Sequence, residues 1–154
     1  ITMLFLVIAL APVAAWGGEA DAAKPADSIT VLKDIQYFAI GGVGYGGRTS
    51  GGEAALRKLL NAPDAREVFE NLLKDATWEG QCYALLGLSR VAPERFRVLW
   101  KEGKRGGFKD QKIQRRSGCL GYQQAKSEVA AEIAAGKFDS YFDHPEKEPK
   151  RPAA

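Results

Sequence analysis

Apolar residues recur at helical spacing through most of this chain. Ile29, Leu32, Ile35 and Phe38 form an i, i+3 series behind Asp27 or Ser28 as a cap, and predict a helix that ends at Gly41-Gly42. Ser50 and Glu53 stand at capping-box spacing, so another helix is expected there. It turns Leu56, Leu59 and Leu60 inward and stops before Pro63. Asp64 and Glu67 repeat that spacing ahead of a stripe of Val68, Phe69, Leu72, Leu73 and Ala76. Thr77 opens the next helix, with Cys82, Leu85, Leu86 and Ser89 inward. Tyr83, Ala84 and Leu88 widen its apolar surface, which predicts a central helix covered on more than one side. Pro93 suits a first helical turn, and Phe96, Leu99 and Trp100 follow at helical spacing. A last helix is expected from about Gln123 to Ala135, with Val129 and Ile133 inward and Gly136 as its stop. Phe138, Tyr141 and Phe142 then pack back onto the bundle.

No alternation of apolar and polar residues is long enough to predict a sheet. Lys112 to Arg115 and Tyr37 to Ile40 are at most short extended pieces, and Gly103 to Gly121 reads as irregular, basic and glycine-rich. The predicted fold is all-α: one small bundle of short antiparallel helical hairpins over residues 29–142, with a Gly-rich loop and one disulfide. A chain of 154 residues has room for one such domain.

The helix Gly80-Gln-Cys-Tyr-Ala-Leu-Leu-Gly-Leu88, following a shorter helix, resembles one helix of a HEAT-type hairpin. The chain is also similar to an uncharacterised family of exported bacterial proteins. That family carries a glycine-rich segment, a Gln-x-Tyr-Ala-Leu-x-Gly-Leu helix and a later Gly-Cys pair, here at residues 41–47, 81–88 and 118–119. The resemblance implies a fold and a compartment, and no activity.

Compartment also has a signal in the residues. Met3 to Ala15 carry no charge, and the run is shorter than the roughly 20 residues of a bilayer-spanning helix. Small residues follow at Ala14, Ala15 and Gly17, as at the end of a secretory signal. Pro12 and Gly17-Gly18 oppose a continuous buried helix. The expected organisation is a signal peptide over residues 1–18, a linker over 19–28, the helical domain, and a Pro- and charge-rich disordered tail over 143–154. The expected product is exported, periplasmic or extracellular, with no transmembrane span in the mature chain.

Composition narrows the chemistry. The net charge is +3, from 22 basic and 19 acidic residues, mild for a nucleic-acid binder, and no nucleic-acid partner is expected. The one histidine, His144, lies beside Pro145 in the tail, so neither a zinc set nor a Cys/His nucleophile is expected. Gly42, Gly44 and Gly47 satisfy G-x-G-x-x-G, but no second strand ends in an acidic residue about 20 positions on. No cofactor, no metal and no catalytic set is therefore expected. The glycine run reads as a closely packed loop, or as a clasp for an anion or a partner chain with Tyr45, Arg48, Thr49 and Ser50.

Two cysteines in an exported chain are expected to be bridged. A Cys82–Cys119 bridge would contribute about 3 to 4 kcal/mol and pin the basic segment to the central helix. That segment holds Lys104, Arg105, Lys109, Lys112, Arg115 and Arg116 against Asp110. It is either a solvated loop or an electrostatic footprint for an acidic protein or an anionic envelope component. With Tyr45 and Arg48 these six form the candidate partner-binding set. The expected function is a non-enzymatic binding or structural module of the bacterial cell envelope. The alternative is an inhibitor or immunity-type protein that blocks a toxin or hydrolase.

Overall fold

A computed structural model describes residues 25–108 and 111–143. The helices are α1 (Pro25–Asp34), α2 (Gly51–Leu60), α3 (Ala65–Asp75), α4 (Trp78–Val91), α5 (Pro93–Glu102), α6 (Lys126–Ala134) and the single turn α7 (Ser140–Asp143). Gly103–Gly107 continue α5 as a wide π-type turn. Two strands, β1 (Lys112–Ser117) and β2 (Leu120–Ala125), form an antiparallel hairpin. The expected signal peptide, most of the expected linker, and the expected tail beyond Asp143 lie outside the described residues.

The core is built on α4. Every residue from Gly80 to Leu88 is buried, as its wide apolar surface requires. Helices α1, α2, α3, α5 and α6 and strand β1 all pack against it. Thr77 sets its start: the hydroxyl accepts from Gly80 N at 3.2 Å and donates to the carbonyl of Ile35 at 2.7 Å. Gly80 is needed for packing, because a Cβ there would run into the carbonyl oxygen of Leu32 in α1. Pro93 opens α5, and Gly136 ends the α6 region with a positive φ of 72°, both as expected.

Four expectations are corrected. Helix α1 begins at Pro25, inside the expected linker, and ends at Asp34, well before Gly41. It cannot run on, because Thr77 N takes the carbonyl of Lys33 that Tyr37 N would need, and Thr77 Oγ1 takes that of Ile35. Phe38 therefore reaches the core from extended chain. Asp64 stands at the start of α3 without a side-chain cap bond. The last long helix starts at Lys126, and residues 112–125 ahead of it are a hairpin. The fold is thus mostly helical with a small two-stranded sheet, not all-α.

The disulfide is the fourth correction. Cys82 is a free thiol buried in α4, and Cys119 is a free thiol exposed in the β1–β2 turn. Strand β1 packs on α4 near the start of that helix, where Glu79 accepts from Gln114 N at 2.8 Å, and the extended chain then carries Cys119 about 16 Å onward. A disulfide needs the two Cα atoms within about 7 Å. Among the described residues, no helix is long and apolar enough to cross a membrane.

Candidate functional site

The glycine run and the basic segment, far apart in sequence, meet at the two-stranded sheet. Residues 38–44 join β1 and its turn through two isolated parallel bridges, Phe38 with Arg115 and Val43 with Gly118. Phe38 N donates to the carbonyl of Gln114 at 2.8 Å, and Arg116 N donates to that of Phe38 at 3.0 Å. Further along, Gly118 N donates to the carbonyl of Gly42 at 3.3 Å, and Gly44 N to that of Gly118 at 2.8 Å. The run then folds back on itself: Val43 and Arg48 exchange backbone bonds of 2.8 and 3.0 Å around the turn Gly44–Gly47. Positive φ at Gly44 and Gly47 makes that tight reversal accessible. On the other side Gly118, φ 54°, takes the first central position of the two-residue β1–β2 turn, where a glycine suits the II′ form. The two turns stand side by side at one end of the sheet.

Buried polar groups fix this sheet to the helices. The Tyr83 hydroxyl accepts from Ala39 N and donates to the Ala39 carbonyl, both at 2.9 Å. Ser50 Oγ also donates to that carbonyl at 3.0 Å while accepting from Glu53 N at 3.0 Å as the cap of α2. Glu53, only 3% exposed, does not close the capping box; it accepts from Gly41 N at 2.9 Å instead. Arg57 balances its charge from one turn on, at 2.8 Å. Arg57 also donates to the carbonyl of Tyr141, whose ring covers Gly41. Burial pushes the Tyr83 hydroxyl up to about 12, against the lowering effect of its Ser50 and Ala39 hydrogen bonds.

The sheet has two chemically distinct faces. Ile113, Arg115 and Ser117 share one face with Leu120, Tyr122 and Gln124. Ile113 is buried, while Leu120 and Tyr122, at 72% and 41% exposure, overhang the body. Lys112, Gln114 and Arg116 share the outer face with Gly121, Gln123 and Ala125. Arg116 lies on the Tyr37 ring at 4.2 Å. Tyr45, at the glycine turn, is fully exposed.

The candidate residues thus divide. Tyr45, Arg48, Lys112 and Arg116 belong to the sheet and its turns. Arg115 belongs to the interior instead, bonded to Glu132 and Gln124 with Phe38 and Phe138 under its guanidinium. Burial pushes the Glu132 carboxyl up, but hydrogen bonds from Lys137, Arg115 and Gln124 and the charge of Arg115 outweigh it and hold the group below the ordinary glutamate value. Lys104 and Arg105 are exposed on the π-type turn, at the far end of β1 from the glycine turn, with Lys104 over the Trp100 ring at 5.2 Å. Lys109 lies outside the described residues.

Sequence reasoning missed a buried cation. Lys126, 4% exposed, donates to Gln81 Oε1 and lies over the Trp78 and Phe108 rings at 4.9 and 5.1 Å. Burial holds its ammonium below the ordinary lysine value, with nearby Cys82 opposing. Burial pushes the Cys82 thiol up to about 12, so it stays protonated at neutral pH. Among the described residues no group of three His, Cys, Asp or Glu could hold a metal ion. No protein-family model, curated protein or solved structure matches the chain.

Proposed function

We propose that this chain is an exported, non-enzymatic binding or structural module of the bacterial cell envelope, which engages an acidic protein or an anionic envelope component through its sheet. One observation carries the reading. Residues 35–50 and 111–125 contain Arg48, Lys112, Arg115 and Arg116 and no carboxylate of their own, and the fold hydrogen-bonds these two stretches into a single platform, with Glu53 and Glu79 of the helices bonded to Gly41 N and Gln114 N. With Arg115 paired to Glu132, Arg48 and Arg116 remain exposed toward the turn end that carries Tyr45 and Leu120, and Lys112 remains exposed at the other end of β1. Cations on a rigid support attract a complementary partner at little entropic cost. In this reading the HEAT-like helical hairpins are the support.

The test is capture from native envelope extract. Changing Arg48, Lys112 and Arg116 together to Gln should abolish capture of an acidic partner, with the fold retained by circular dichroism. Undiminished capture would remove the platform from the account. A second reading, an inhibitor or immunity-type protein that plugs a toxin or hydrolase, draws on the protrusion of Tyr45 at a glycine turn. A toxin encoded beside this chain and inhibited by it would favour that reading, with Tyr45→Ala relieving the inhibition.

A further inference from the structure

The outer edge of β2 is open. Arg116 N and the Gln114 carbonyl bond to Phe38, so both residues turn their backbone groups away from β2. Their cross-strand partners Gly121 and Gln123 therefore turn theirs away from β1. Among the described residues nothing bonds to those four groups. Natural edges are blunted with charge, proline or a bulge. The β2 sequence Leu-Gly-Tyr-Gln-Gln-Ala has no charge and no proline, and its pairing with β1 runs without a bulge.

We propose that a partner protein adds an extended segment to this edge as a further antiparallel or parallel strand, and that the segment alternates acidic and apolar residues. The inference rests on the binding reading above and specifies its mode. Backbone pairing would come from Gly121 and Gln123. Side-chain choice follows from the two faces. On the outer face Lys112 stands opposite Ala125, which is too small to screen it from a strand beyond β2, while Arg116 is turned back over the Tyr37 ring on the other side of β1. Acidic side chains on that face of the new strand lie in the field of Lys112. On the other face the exposed Leu120 and Tyr122 offer apolar cover to the alternate positions.

The probe is a blocked octapeptide of alternating Glu and Val, titrated into the labelled full chain and followed by amide NMR. Binding should shift the Gly121 and Gln123 amides most and slow their exchange with solvent. N-methylation of the peptide at the residues facing β2 should weaken binding at least about tenfold, the loss of one or two hydrogen bonds. Gln123→Pro should do the same with the fold intact, because that N–H is not used within the hairpin. Replacing Glu by Lys in the peptide should abolish binding. No binding of the Glu/Val peptide, equal binding of its N-methylated form, or shifts centred on Lys104 and Arg105 would each overturn strand addition. Envelope capture separates the two levels. Capture lost on neutralising Arg48, Lys112 and Arg116 but kept in Gln123→Pro overturns only strand addition, whereas capture kept in both overturns the binding reading as well.

Discussion

At the scale of single residues, the fold depends on polar groups placed where the apolar pattern would put only hydrophobes. Tyr83 sits in the centre of α4 and satisfies both backbone groups of Ala39. Tyr83→Phe keeps the ring but strands a buried N–H, and should cost about 1–3 kcal/mol in chemical denaturation. A loss near zero would show that water or a shifted loop replaces the hydroxyl. Glu132 gives a pH-dependent counterpart. Its folded carboxyl titrates below the ordinary value of 4.5, so its contribution is present above that pH and is lost as pH falls through the folded value. Glu132→Gln should be less stable than wild type at neutral pH, and the gap should close on acidification below about pH 4.5. A gap that persists at pH 2 would assign the effect to packing.

Elements were legible where the period was long. The caps at Ser50 and Thr77, the proline at the head of α5 and the buried breadth of α4 all follow from residue spacing. Helix α1 was misread at its end because Phe38 continues the i, i+3 series while the carbonyls that a longer helix needs are taken by Thr77, 42 residues on from Ile35. The hairpin was hidden because its inner face carries Arg115 between Ile113 and Ser117, and so does not alternate apolar with polar. The glycine at its two-residue turn was the available signal. The joining of residues 38–44 to β1 was beyond local pattern, since it depends on long-range pairing. At this scale Gly80 is the most exacting position between elements. Gly80→Ala puts a methyl group against the α1 backbone and should destabilise by about 1–3 kcal/mol, read as a lowered denaturation midpoint. No change would mean that α1 and α4 separate freely.

For the whole molecule, stability comes from the packing around α4 without a covalent staple. A native thiol titration should label Cys119 at once and Cys82 only after unfolding, giving two thiols in denaturant. Zero thiols in denaturant would restore the bridge and require a different path for β1. The helical body, on this view, holds a basic sheet whose two turns and open edge meet a partner. The most direct measurement is an amide NMR titration of the labelled full chain with polyglutamate at low and high salt. Shifts at low salt should centre on residues 43–48 and 112–123 and collapse as salt is raised. Shifts spread evenly over the helices and the Lys104–Arg105 turn, or no shifts at all, would contradict the account.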